Sequence, residues 1–582
     1  MAKSDSKKAS LRSQDWFSPD NLRSFAHRQR MQQVGYSREE FLDVPVIGVF
    51  VSWNGFSTCH SHLRDRATAV MRGIRKAGGL PIEFPVMSLG EVMVKPTSML
   101  YRNLMAMEVE EMLRAHPFDG AVLMGGCDKT VPGLIMGALS ADIPFVFVPA
   151  GPALGGRWNG EKVGAGTHTK IFWDKYRAGE ISKEDWVELE SSMIRSAGTC
   201  NTMGTASTMA LAVEALGLSI SGSSSIPAVD SAHERMCFTA GQRAVSLVKE
   251  LIRPLSFLSK AHFLNAIRVI CASGGSTNAL IHLIAIAGRA GVSLDLDDFD
   301  VIARETPILV DLMPAGNHLM QDFYFAGGLP TLLSRLRPFL EMDTLTVENR
   351  TLESLLEEAQ PGDSKIIRRP DNPVSDQPAF AVLKGNLAPH GAVIKPSSMD
   401  TRLMSHCGEA LVFEGPEDLA LRIDDPSLKV DSNTVLVLRG GGPITAPGMP
   451  EWGNLPIPKK LLLQGVKDML RLSDARMSGT HFGACVLHIS PESSENGALG
   501  LVKDGDLISI DVDKRSIELK VDLKELDRRR SSLPISEKPS DLGASAERGY
   551  IAMHKRHIEQ AHQGCDLDFL KGFTPMEKPK IF

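Results

Sequence analysis

No apolar run in the 582-residue sequence approaches the roughly 18 residues that a membrane-spanning helix requires. Aromatic residues make up only 6%, which leaves few flat surfaces on which bases could stack. The formal net charge of -6 is small and of the wrong sign for a phosphate-binding surface, so a nucleic-acid partner is not expected. The eight cysteines follow no regular spacing, which excludes a disulfide framework and favours a reducing, cytoplasmic setting. Internal repeats and long low-complexity stretches are also missing. Met1–Arg12 combines Lys, Ser, Arg and Asp5 with no apolar core behind it. That composition predicts a disordered tail in place of a secretory signal.

Hydrophobic content of 43% and charged content of 23% fit a soluble globular protein, and the length calls for more than one core. After a lead-in over residues 1–40, an α/β domain with a largely parallel sheet is expected over 41–377. Strand-like runs at Val44–Val51, Ala121–Met124 and Ile143–Val148 alternate there with helical periodicity over Arg64–Ala77, Met99–Ala115 and Met203–Leu216. The alternation is expected to continue to about Leu340. Polar residues 360–377 read as a linker. Residues 378–582 form a β-rich, barrel-like domain, with strands at Ala392–Lys395, Ala410–Glu414, Thr434–Arg439, Cys485–Ser490 and Asp506–Val512 and a hairpin partner at Ser516–Val521.

Chemistry concentrates where strands end. Gly125-Gly126-Cys127-Asp128-Lys129-Thr130 puts a soft thiolate, a hard carboxylate and a lysine side by side. Soft thiolates suit iron–sulfur or zinc and carboxylates suit magnesium or manganese, so two unlike metals could sit close together. The same hexapeptide also reads as a plain strand-to-loop turn. Cys59 lies in Gly55–His62 and Cys200 in Ser196–Gly204, both turn-rich, the latter just before a predicted helix. A helix N-terminus stabilises a thiolate. Cys237, Cys271, Cys407, Cys485 and Cys565 lack such loops and read as buried or incidental thiols. Three thiolates around an iron–sulfur cluster would leave one iron open as a Lewis acid toward a departing hydroxyl.

Five motifs occur in order: Cys127–Gly133, Gly198–Ala206, Gly274–Asn278, Gly448–Glu451 and Asp474–Thr480. Together they resemble the dihydroxy-acid and sugar-acid dehydratase family, which also contains phosphogluconate dehydratase. The resemblance runs from about Val46 to Gly572. Cys200–Met209, Asp474–Thr480 and Asp566–Gly572 are most similar to the aldonic-acid branch of L-arabinonate and D-xylonate dehydratases.

The resemblance implies a hydro-lyase that converts a 2,3-dihydroxy acid, here a sugar acid, to a 2-oxo-3-deoxy acid. It implies a [2Fe–2S] cluster on Cys59, Cys127 and Cys200. Mg²⁺ would be held by Glu91, Asp128, a carbamylated Lys129 and Glu451. Ser478 would be the base, with Thr480 bonded to it or to substrate, in a homodimer or dimer of dimers. From the residues alone, Glu91 and Glu451 read as surface-loop carboxylates and Ser478 as a turn serine. His60 and His481 depart from common relatives and bear on substrate identity. Two other readings stand beside this one: a branched-chain dihydroxy-acid dehydratase of valine and isoleucine synthesis, and a non-catalytic iron–sulfur protein.

Overall fold

The sheet that anchors the first domain is entirely parallel. β1 (Val46–Val51), β2 (Leu80–Pro85), β3 (Gly120–Gly125) and β4 (Phe145–Pro149) lie in the order β2-β1-β3-β4. This is a computed structural model, and it describes residues 11–495, 497–532, 548–574, 576, 580 and 581. Every residue of β1, β3 and β4 is buried, the pattern of a sheet covered on both faces. Helices Leu63–Lys76, Arg102–Ala115 and Thr130–Ala141 make the crossovers between successive strands. Helix Ser231–Glu250 packs against the first of these so closely that a Cβ on Gly73 would lie 2.0 Å from the Phe238 carbonyl.

The expected alternation stops at Pro149. A small hairpin of β5 (Gly156–Trp158) and β6 (Glu161–Val163) follows, and residues 205–340 are helical with no further sheet strand among the described residues. The reason is burial. Segments such as Phe263–Ala272 and Ala279–Ala287 are apolar nearly all round because they are helices within the core, and a continuous apolar run cannot by itself separate strand from buried helix. Residues 360–377 are also no free linker. Ile367 is fully buried, and the backbone N–H groups of Arg368 and Val374 donate to the carbonyls of Leu309 and Ile308, both at 2.7 Å.

The second domain is a closed eight-stranded barrel. It is built from β7 (Ala381–Gly385), β8 (Ala388–Ile394), β9 (Ser405–Glu414), β10 (Val435–Arg439), β11 (Arg471–Ser473), β12 (Cys485–Ser490), β13 (Leu507–Asp511) and β14 (Ser516–Leu519), in the order β10-β11-β12-β8-β7-β14-β13-β9. β13 and β14 form the expected hairpin. After the barrel the chain returns to the first domain: the buried Arg289 guanidinium is paired bidentately with Asp566, at 2.6 and 3.0 Å.

The expected N-terminal tail lies outside the described residues over 1–10, while Arg12 is docked on the Phe118 carbonyl. Among the described residues no helix is long and apolar enough to cross a membrane.

Candidate active site

All four strands of the parallel sheet deliver loops to one place. β1 leads to Cys59, β2 to Glu91 and β3 directly to Cys127. The loop after β4 pairs with the segment of Cys200 through the Pro152–Thr199 bridge. Ligand sites in open parallel sheets collect at these carboxyl ends because the backbone there is free to turn outward.

The three thiols meet. Cys59 hydrogen-bonds to Cys127, and Cys200 lies within electrostatic reach of both. Cys127 takes a φ of 62°, the left-handed region, which costs a non-glycine residue on the order of 1–2 kcal/mol. Such a cost persists where the surroundings impose it. Donating a hydrogen bond to Cys127, and then burial, push the Cys59 thiol well above its usual range, and burial pushes Cys200 up to about 12. All eight cysteines are free. Four of the five remaining ones are buried and Cys407 is exposed on β9, away from the cluster of three.

Beside the thiols is a charge cluster centred on Lys129. Its side chain is fully buried, and its ammonium stands 3.2 Å from each of Glu91, Asp128 and Glu451. Burial and the nearby Arg476 oppose its charge, but the three carboxylates outweigh them and hold the lysine above its ordinary range. Burial likewise raises the Asp128 carboxyl. It would raise Glu451 too, but Lys129 and Arg476 hold that carboxyl down at about 2.

Each carboxylate is fixed by further donors. Glu91 accepts from Thr97 Oγ1 at 2.8 Å and from both the backbone and the hydroxyl of Ser98. Glu451 accepts from Asn278 Nδ2 and Arg476 Nη1, both at 2.9 Å. Arg476 and Asn278 belong to motifs quoted above but were assigned no role there. No local sequence signal ties either of them to Glu451; the contacts appear only where the barrel closes on the sheet domain.

Among the described residues, no three His, Cys, Asp or Glu side chains converge tightly enough to hold a metal ion as they stand. The Lys129 ammonium fills the centre around which the carboxylates are arranged. The donor chemistry nonetheless fits both implied groups. Three carboxylates held around one buried positive charge suit a hard divalent cation, and three adjoining thiols suit iron.

Ser478 stands on the turn after β11. Its Oγ is 3.0 Å from Thr480 Oγ1, and the Thr480 carbonyl accepts from Thr167 Oγ1 at 2.8 Å. The residue between them has no room for a side chain: a Cβ on Gly479 would come within 2.6 Å of Ser276. Asn201 and Thr202 brace the facing loop, bonding Ala165 N at 2.9 Å and Ala165 O at 3.2 Å. His481 accepts from Asn454 Nδ2 at 3.2 Å, and burial holds its imidazole down at about 4.

His60 and His62 act through the cysteine loops. The Gly126 carbonyl can only accept, so His60 Nε2 is the protonated nitrogen, donating at 2.7 Å; Nδ1 accepts from Ser57 and Ser88, each at 2.9 Å. His62 Nε2 donates to the Ala150 carbonyl at 2.7 Å. Together they pin the Cys59 loop to the ends of β3 and β4. His60→Ala leaves a buried carbonyl without its donor, and is expected to destabilise the fold by roughly 1–3 kcal/mol in denaturant unfolding. An unchanged unfolding midpoint would contradict that role.

Two family models cover most of the chain. The N-terminal domain of dihydroxy-acid/6-phosphogluconate dehydratases matches residues 44–355, and the C-terminal domain matches 365–565. The chain belongs to this family. It is therefore a dehydratase, a hydro-lyase, as its motifs suggest. Full-length relatives include a 6-deoxy-6-sulfo-D-gluconate dehydratase of Pseudomonas putida, 52% identical over 100% of both chains. An L-arabinonate dehydratase of Rhizobium leguminosarum bv. trifolii is 45% identical over 97% of this chain and 96% of its own. A dihydroxy-acid dehydratase of Caldicellulosiruptor bescii is 37% identical over 93% and 97%.

Proposed function

We propose that this dehydratase acts on an aldonate, removing water across C2 and C3 to give the 2-oxo-3-deoxy acid. The observation that carries this reading is the pairing of two unlike donor sets beside Ser478: three thiols on one side, and three carboxylates around Lys129 on the other. Identities of 52% and 45% to sugar-acid dehydratases, against 37% to a dihydroxy-acid dehydratase, support a sugar acid. So does the chemistry around Ser478. His481, Asn454 and Arg471 form a hydrogen-bonded polar wall, where a branched aliphatic acid would call for an apolar one.

In this reading Cys59, Cys127 and Cys200 hold a [2Fe–2S] cluster, and Glu91, Asp128, Glu451 and a carbamylated Lys129 hold Mg²⁺. When bound, these groups supply Lewis acidity toward the departing 3-hydroxyl and toward the oxygens at C1 and C2. Charge balance favours the exchange. Replacing one ammonium by a carbamate and a divalent cation leaves the local charge unchanged, since +1 becomes -1 plus +2.

Ser478 takes the C2 proton as an alkoxide, with Thr480 Oγ1 placed to donate to it. The C2–H electron pair forms the C2=C3 bond as the C3–O bond breaks and hydroxide leaves. The resulting enol then ketonises. Asn278 and Arg476 keep Glu451 ionised and oriented throughout.

Exposed Phe56, Val92 and Met93, flanking the Cys59 and Glu91 loops, support self-association close to the site. Iron–thiolate chemistry suits a reducing compartment. Assay of the iron- and magnesium-loaded protein on pentonates, hexonates and 2,3-dihydroxyisovalerate, with trapping of 2-oxo acids, is expected to favour the aldonates. Preference for 2,3-dihydroxyisovalerate would overturn the assignment.

A further inference from the structure

A buried lysine of the barrel reaches into the first domain behind the Ser478 turn. Lys395 directly follows β8, and its Nζ donates to the Gly274 carbonyl at 2.6 Å and to the Gly275 carbonyl at 2.9 Å. Burial alone holds this ammonium down at about 8, with no neighbouring charge acting on it among the described residues. A buried cation without an ionic partner is costly. Its compensation comes from two carbonyls just beyond the C-terminal end of helix Lys260–Ala272, where the helix dipole favours positive charge.

The two carbonyls open the segment Gly274–Asn278, which borders the reaction centre twice. Ser276 lies under the Ser478 turn, where a Cβ on Gly479 would come within 2.6 Å of it. Two residues on, Asn278 Nδ2 donates to Glu451 at 2.9 Å. Helix Thr205–Ala215 fixes the other side of the segment: Ser276 N–H donates to Thr208 Oγ1 at 3.0 Å, and the Ser276 and Thr205 hydroxyls bond at 2.8 Å. The barrel residues after Lys395 hold the exit of the same turn. The Ser398 carbonyl accepts from Gly483 N–H at 2.8 Å, and Ser398 Oγ donates to the Lys395 carbonyl at 3.2 Å. Residues 395–398 therefore hold the support of Gly479 at one end and the end of the Ser478 turn at the other.

We propose that Lys395 is a positioning residue for the dehydration: by clamping the Gly274 and Gly275 carbonyls to the barrel, it sets Ser478 against the C2 hydrogen of the substrate. This rests on the reading of Ser478 as the base. Both side-chain bonds of Lys395 end on backbone carbonyls, so its effect reaches Ser478 through Ser276 and Gly479. A lysine that only capped a helix would change stability, and would lower turnover only as far as folded enzyme is lost. Displacing a base by about 1 Å costs about 100-fold in the chemical step and leaves substrate affinity in place.

A double-mutant cycle on the metal-loaded enzyme tests the proposal. Its substrate is the acid turned over fastest among pentonates, hexonates and 2,3-dihydroxyisovalerate. Lys395→Met keeps a side chain of similar volume and removes the donors. It is expected to lower kcat about 10- to 100-fold, with KM, iron content and visible absorbance little changed. The isotope effect of the C2-deuterated acid should rise, because proton abstraction becomes the slow step. In the Ser478→Ala background the same substitution is expected to cost no more than about 2-fold, since no base is left to misplace. Lys395→Gln, which retains a neutral donor, should fall between wild type and Lys395→Met.

Equal fractional losses of kcat with and without Ser478, a loss that falls on KM, or wild-type kcat in Lys395→Met would overturn the positioning role and leave Ser478 as the base. Misfolding of both the Met and the Gln variants would also overturn it, since Lys395 would then serve the fold alone. Ser478→Ala turning over within a few-fold of wild type would overturn both readings.

Discussion

Ser478→Ala is expected to lower kcat by about 10²–10⁴-fold, the usual contribution of a positioned general base, with iron content and visible absorbance unchanged. The geometry separates chemistry from structure here. Among the described residues the Ser478 hydroxyl bonds only to Thr480, through its hydroxyl at 3.0 Å and its backbone N–H at 3.4 Å. The turn itself is held by other contacts: the tight fit of Gly479 on Ser276, and the Thr167–Thr480 bond. Removing one oxygen therefore takes away the proposed proton acceptor and little else. Thr480→Val keeps the serine but removes the group that would donate to its alkoxide, so a smaller loss of kcat is expected. A Ser478→Ala enzyme within a few-fold of wild type would show that another group takes the C2 proton.

Lys129→Met is expected to abolish turnover and to weaken the metal-free fold by about 3–5 kcal/mol, the cost of stripping one partner from a buried ionic cluster. Three carboxylates now ringing a single ammonium would face one another without it. Added Mg²⁺ is expected to stabilise this variant more than it stabilises the wild type. The pH dependence has a definite sign. The Glu451 carboxyl is held from an ordinary 4.5 down to about 2, so its contribution to stability is present above pH 4.5 and lost as pH falls toward 2. Without Lys129 that carboxyl rises, and acid unfolding of Lys129→Met should begin at higher pH than in wild type. Denaturant and acid titrations of the two proteins read both effects. Equal stability and an unshifted acid limb would mean that Lys129 is not the centre of the cluster.

Much of this site was legible in the sequence because catalytic loops follow strands, and the strand runs at Val46–Val51 and Gly120–Gly125 are strongly apolar. Cys59, Cys127 and Cys200 could be picked out from eight cysteines by their turn-rich settings. Glu91 and Glu451 could not be picked out from residues alone. They lie on separate domains, and the surrounding Gly and Pro made each look like an ordinary surface loop. Their convergence on Lys129 is a property of the closed interface between sheet and barrel. Arg476 and Asn278 were hidden for the same reason, although both sit inside recognisable motifs. The overextended strand–helix alternation after Pro149 has a different origin: helices buried on every side lose the polar face that makes their period visible.

The most direct test of the proposed reaction is turnover of an aldonate in deuterium oxide, with the product read by NMR. Proton abstraction at C2, loss of the 3-hydroxyl and ketonisation of the enol place one solvent deuterium at C3 of a 2-oxo-3-deoxy acid. That labelled product is the expected result. A 2-oxo acid whose C3 carries no solvent deuterium, or an aldonate recovered unchanged from the metal-loaded enzyme, would contradict it.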